Sequence, residues 1–282
     1  MKVTGLLSGF PAGLMAIGSL AALGCGHDEP LTGVRYARGK PGPAVAIDGQ
    51  PVDVGFALGH MRETVELAPF QISRHPVTIG EYRGCVSAGA CKPPHEAACN
   101  DWPERTSVHR PNFRIEGIAS DAVATCVGLA EARQYCAWVG GRLPSLQQWL
   151  LAARGRSPQR FSWGGAAVTC EHHPFADLAK AERCQISAQD VARVGLHAPG
   201  ASLLGIQDVL LTPGELLDTS PDALFSACLD QNGSKPGTDK ACIVYGLKPG
   251  AIDSVEELWA RPEHPDATAI VYGFRCTWGG AS

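Results

Sequence analysis

Over residues 54–78, "VGFALGHMRETVELAPFQISRHPVT", apolar and polar positions alternate in short runs separated by Gly and Pro. This period of two predicts strands. The period then lengthens: Ile79, Tyr82 and Val86 follow Thr78 at helical spacing, which predicts a short helix capped by Thr78 and ended by Gly89. Residues 91–120 are polar and aperiodic, a long loop that cysteines can pin. Leu129, Ala132, Cys136 and Val139 recur every three or four positions, so a second helix runs to the stop at Gly140-Gly141. A third is written in "GGRLPSLQQWLLAARG", residues 140–155, with Pro144 expected in its first turn and Ser145 as the capping candidate. Beyond it, "RFSWGG" and "VGLHAPGASLLGIQDVLLTPGELL" mix short apolar runs with glycine turns, and "TAIVYGFRCTW" reads as one final strand. Few helices, many loops and strands at both ends give an α+β domain.

The first 24 residues carry one Lys and then an apolar stretch, the build of an export signal. No later segment is apolar for long enough to span a bilayer. Ala22, Leu23 and Gly24 stand before Cys25, and "LAALGC" resembles a bacterial lipobox, with Ala22 where that pattern prefers Leu. On this reading Cys25 is the acylated first residue of the mature chain; the alternative is an ordinary secretory signal with a chance cysteine. Residues 25–53 are rich in Gly, Pro and charge without a sustained period and read as a flexible tether, which starts the domain at residue 54 and carries it to 282. The expected address is the bacterial cell envelope, periplasm-facing or at the cell surface, with the membrane as partner through the acyl anchor.

Net charge is only -4 and no basic run occurs, which argues against nucleic acid as a partner. Ten cysteines remain after Cys25, and an even number in an exported chain points to disulfides. A metal site is the competing reading, but there is no C-x-x-C pair and no histidine pair at helical ligand spacing. His172 and His173 are adjacent in a loop and read as solvated. No Ser-His-Asp order, phosphate loop or paired carboxylates stand out.

Four segments, "FQISRHPVTIGEYRGCVSAGAC", "YCAWVGGRLPSLQQWLLAARG", "LLGIQDVLLTPGELL" and "YGFRC", occur in the order and spacing of a known family. They resemble the formylglycine-generating enzymes and their sulfatase-modifying-factor relatives, and the resemblance covers about residues 54–278. It implies that family's variant of the C-type lectin fold, loop-rich and stapled by disulfides. The matched scaffold positions are Trp138, Arg142, Leu143, Pro144, Trp149, Arg154, Gly273, Phe274 and Arg275. Trp138 and Trp149 read as core aromatics rather than a ligand box; Arg142 and Arg154 read as partnered structural cations, with a substrate role as the alternative. The resemblance also implies a Cys136–Cys276 disulfide. Proximity then favours Cys91 with Cys99, Cys170 with Cys184, and Cys228 with Cys242, leaving Cys85 for Cys126.

Active members of that family bind copper with two cysteines before the final "GFR" and oxidise a sulfatase cysteine to formylglycine. Here the corresponding window, Tyr245 to Arg275, contains no cysteine, so the resemblance implies a scaffold without catalytic residues or copper. The family's "GNVWEW" has become "TPGELL", which keeps only Glu215; the resemblance implies a calcium region here, to which Asp208 and Glu215 can still contribute oxygen ligands. The expected function is an exported lipoprotein that acts as a binding or structural module for an unknown protein or carbohydrate ligand. The alternative is an oxidase or protein-modifying enzyme of the same family using other residues.

Overall fold

The computed structural model describes residues 38–53, 64–94, 119–155, 161–173, 175–177, 182–184, 193–209, 214–218, 241–245, 259–263 and 272–280. The first strands lie earlier than the sequence suggests. β1 (Ala44–Ile47) and β2 (Pro51–Asp53) fall inside the segment read as tether. Ile47 and Val52 are buried in the core, so residues 38–53 belong to the fold and the boundary at 54 is corrected. Their apolar positions are too few for a sustained period, which is why the segment reads as linker in the sequence.

β3 (Thr64–Glu66) pairs with β2, and β4 (Phe70–Ser73) pairs antiparallel with β1. Thr78 then caps α1 (Ile79–Ser87): its side chain accepts from the Glu81 N–H, and the Glu81 carboxylate accepts from the Thr78 N–H in return. α2 (Leu129–Trp138) ends where Gly140 takes a φ of 76°. α3 (Leu146–Arg154) begins with the same reciprocal cap, Ser145 with Gln148. Pro144 therefore precedes the cap rather than sitting in the first turn. Its carbonyl accepts from the Asp218 N–H at 2.9 Å, so it is tied to another part of the chain, and the helix starts only after the Ser145 cap.

After the short pair β5 (Phe175–Asp177) and β6 (Glu182–Arg183) come β7 (Gly214–Leu217), β8 (Ala241–Tyr245), β9 (Trp259–Glu263), β10 (Tyr272–Phe274) and β11 (Thr277–Gly279). The expected single final strand is two strands in different sheets. β10 lies parallel to β7 in the order β10-β7-β8-β9, whereas β11 completes the order β1-β4-β11. Arg275 and Cys276 form the break. The Arg275 side chain is buried, and the Cys276 carbonyl has already changed partner, accepting from the Ser73 N–H of β4 at 2.8 Å.

Two apolar clusters hold these elements. One gathers Trp149, Leu150 and Leu151 of α3 against Phe70 and Ile72 of β4. The other packs α1 and α2 around Tyr82, Tyr135 and Phe274, whose rings meet at 5.6 to 6.3 Å. The Gly140-Gly141-Arg142 corner brings β11 against α2: a Cβ on Gly141 would lie 2.6 Å from the Thr277 carbonyl oxygen, so only glycine fits. Arg142 and Thr277 exchange backbone bonds across that contact, at 3.0 and 2.7 Å.

Candidate functional site

The parallel register of β7 and β10 sets Glu215 beside Gly273, and Arg275 two residues on turns its guanidinium onto the Glu215 carboxylate. Nε donates to Oε2 at 2.7 Å and Nη2 to Oε1 at 2.6 Å, a two-pronged pair in which both side chains are 1% exposed. Burying two charges costs several kcal/mol each unless every donor and acceptor is met. Here they are met: Nη1 reaches the carbonyls of Ser73, Arg74 and Gln207, and Trp149 Nε1 donates to Glu215 Oε2 at 2.9 Å. This centre ties α3, β4, β7 and the break between β10 and β11 to one point. It also removes Glu215 from the calcium ligands, since both its oxygens already face a cation and a metal ion would sit against the guanidinium.

Asp208 lies on the other side of Gln207. Its φ is 57°, a left-handed conformation that Asp tolerates, and its Oδ2 accepts from the Gly195 N–H at 2.8 Å. Oδ1 is buried and finds no protein donor among the described residues. Burial pushes the Asp208 carboxyl above the usual carboxylate range, while the Gly195 N–H, Arg275, His75 and His197 pull the other way. His197 is buried too, with Nδ1 3.1 Å from the Cys170 carbonyl and Nε2 without a protein partner among the described residues. Among the described residues no group of three or more His, Cys, Asp or Glu is arranged to hold a metal ion.

A small crevice lined by Ser73, His75, Glu81, Tyr135, Cys276 and Trp278 has room for about one water molecule. Burial, and then the Glu81 carboxylate, push the Tyr135 hydroxyl well up. Cys276 of this lining is bonded to Cys136, a disulfide that joins α2 to the β10–β11 break across 140 residues. The other bridges differ in part from those that proximity favours. Cys170 is bonded to Cys184, but Cys85 is bonded to Cys91 and not to Cys126. The turn after α1 brings Cys91 back over the helix, with its N–H on the Cys85 carbonyl, so neither Cys91–Cys99 nor Cys85–Cys126 forms. Cys126 is disulfide-bonded to another cysteine. Cys25, Cys99 and Cys228, and the side chain of Cys242, lie outside the described residues.

The remaining scaffold residues sort by burial. Leu143, Pro144, Trp149, Arg154, Gly273, Phe274 and Arg275 are buried. Trp138 is half-buried, packed against the α1–α2 cluster beside Tyr135 and covered by the incoming chain at Gly39. Arg142 donates to Gln148 Oε1 and to the carbonyls of Gly279 and Gly280, a structural cation closing the last strand onto α3. His173 is 4% exposed rather than solvated, while half-exposed His172 stacks on Trp163 at 5.0 Å and bonds Thr169. The Trp149–Glu215–Arg275 triangle is what the sequence reading missed; its three members are far apart in the chain and only the β7–β10 register unites them.

The copper chemistry of the formylglycine-generating enzymes needs two thiolates near the final strands. The residues here do not fit it: Cys276 is bonded to Cys136, and residues 245–275 supply no cysteine. The scaffold, by contrast, has a clear match. Residues 37–279 match the sulfatase-modifying factor enzyme 1-like domain. The chain belongs to that family. Hercynine oxygenase of Mycolicibacterium smegmatis is 30% identical over 304 aligned residues, covering 92% of this chain and 68% of that protein. The hercynine oxygenase of Mycolicibacterium thermoresistibile is 28% identical, covering 92% and 65%. The chain thus spans about two thirds of the length of these relatives. Among solved structures, PvdO from Pseudomonas aeruginosa superposes with a TM-score of 0.58 at 18% identity, covering 87% of this chain and 99% of that one. CarF gives 0.54 at 17%, covering 84% and 98%. At such identities these structures speak to the fold alone, and it is the family's C-type-lectin-like α+β fold.

Proposed function

We propose that this member of the sulfatase-modifying-factor family is an exported, lipid-anchored binding or structural module that has given up formylglycine formation. One observation carries the reading: in the part of the chain where the family's copper thiolates belong, residues 245–275 hold no cysteine, and Cys276 just after them is locked in the Cys136–Cys276 bridge. The charged groups around it serve the fold. Glu215 and Arg275 neutralise each other, and the crevice at Cys276 is too small for a peptide or a sugar ring. The export and anchor part of the reading rests on the apolar N-terminal segment ending in "LAALGC". What the module recognises then lies on its loops, and a protein or carbohydrate suits such a surface; that step is fold-level analogy.

A second reading has its own support, since both relatives named above are called hercynine oxygenases. It makes this chain an oxygen-consuming enzyme that uses other residues. Oxygen uptake by the purified oxidised protein separates the two. The module reading expects no uptake above buffer with hercynine or with a thiol peptide, whether copper or ferrous iron is supplied, and no Cu(I) binding beyond that of an unrelated disulfide-bonded protein. Uptake that saturates with hercynine would replace it with the second reading.

A further inference from the structure

The crevice at Cys276 is small, yet much of the hydrogen-bonding capacity on its wall is unused. Ser73 is spent: its hydroxyl donates to the Cys276 carbonyl at 3.1 Å and accepts from the Cys276 N–H at 3.0 Å. Three other groups of the lining are not. Glu81 Oε2 accepts from the Thr78 N–H and hydroxyl at 2.8 and 3.0 Å, which leaves Oε1 unused. The Tyr135 hydroxyl has no protein partner among the described residues, although the residue is 2% exposed. The Tyr82 hydroxyl, by contrast, donates to the Lys92 carbonyl at 2.9 Å. His75 Nδ1 lies 2.8 Å from the Pro76 carbonyl and carries its proton there, so Nε2 is the remaining acceptor of the neutral ring.

The chain beside this crevice leaves space at Oε1. A Cβ on Gly42 would run into that oxygen, so any residue but glycine fills the gap. No Lys, Arg or His among the described residues forms an ion pair with Glu81, and Lys40, two residues before Gly42, is exposed. Burial first and the Glu81 charge second push the Tyr135 hydroxyl up, so the carboxylate and the phenol are close. A water-sized space is thus lined by three acceptors, a carboxylate without a counter-ion, and the rings of Tyr135 and Trp278.

We infer that this crevice is a binding site for a primary ammonium group, with Glu81, Tyr135 and His75 as its acceptors. Such a group is the size of a water molecule and has one N–H for each of these acceptors, and its charge answers the unpaired carboxylate. Aromatic rings beside the guest favour a cation over a neutral molecule of the same size. Calcium is served less well, because it takes about six to eight oxygens and the lining offers it one free carboxylate oxygen. Only the head group enters, so a crevice too small for a peptide or a sugar ring still admits the tip of a lysine side chain as readily as a free small amine.

Trp278 reports on the site, since it lines the crevice and its indole N–H lies 3.3 Å from the Val139 carbonyl. The indole N–H signals of the disulfide-intact, isotope-labelled chain are followed by NMR, with Trp278→Phe assigning the peak. Methylammonium chloride, added against sodium chloride at constant ionic strength, should move that signal saturably. Half-saturation is expected on the order of 10 mM, the ceiling for a guest of two heavy atoms. Tetramethylammonium, which has the charge and no donors, should do no more than sodium. Glu81→Gln keeps the Thr78 cap, which glutamine also makes, and should weaken binding about fivefold or more. Tyr135→Phe keeps the ring and should weaken it about threefold. A signal that methylammonium moves no further than sodium does, or that both variants leave equally responsive, would overturn the site. Nα-acetyl-lysine methylamide against ammonium chloride then separates the sources: tighter binding of the lysine marks a side-chain tip, and equal or tighter binding of ammonium marks a free small amine, either of which keeps the ammonium assignment.

Discussion

At the scale of single residues, the buried Glu215–Arg275 pair decides how the domain tolerates change. Both partners are 1% exposed, so Glu215→Gln leaves a guanidinium without its counter-charge and should cost about 3–5 kcal/mol. Urea unfolding measures it; a loss below about 1 kcal/mol would mean the pair is not the hub described here. Asp208 behaves in the opposite sense. Burial raises its folded-state pKa above the unfolded value, so the folded state binds the proton more tightly and stability declines as pH rises through that window. Asp208→Asn keeps an acceptor for the Gly195 N–H, suits the positive φ, and removes the buried charge. It should therefore stabilise the domain at neutral pH by on the order of 1 kcal/mol, with the gain fading as pH falls toward the ordinary carboxylate value. Thermal unfolding across that pH range, variant against parent, checks both sign and slope.

At the scale of elements, caps and corners set the helices in place. Ser145→Ala removes a reciprocal cap at the start of α3 and should cost about 1 kcal/mol in chemical denaturation. Gly141→Ala should cost about 1–3 kcal/mol, since its methyl meets both the Thr277 carbonyl oxygen and the Trp278 indole. Much at this scale was legible. The Thr78 and Ser145 caps and the glycines ending α1 and α2 act within a few residues, so spacing alone locates them. What failed was non-local. β1 and β2 carry too few apolar positions to show a period, and their burial depends on β4 and α3. The split of the final strand follows from Arg275 reaching Glu215, which no window of neighbouring residues contains. Cys85 bonds Cys91 because the chain reverses after α1, a geometry that distance along the sequence does not report.

At the scale of the whole molecule, the scaffold is the family's and the polar segments that serve its chemistry are changed. The Cys136–Cys276 bridge spans 140 residues, and its removal from the denatured-state constraint should cost about 4–5 kcal/mol in the chain-entropy model. Reduction should therefore lower the unfolding midpoint sharply, which thermal unfolding with and without reductant measures. The candidate site was half legible for the same reason. The absence of cysteine between residues 245 and 275 is read directly from the sequence, whereas the internal neutralisation of Glu215 emerges only from the sheet register. The central claim, that the family's formylglycine chemistry is gone, has one direct measurement. A peptide carrying a sulfatase-type cysteine is incubated in air with the copper-loaded, disulfide-intact protein, and its mass is followed. The peptide's cysteine should stay unchanged apart from ordinary disulfide formation; its conversion to an aldehyde over many turnovers would show that the formylglycine chemistry is retained.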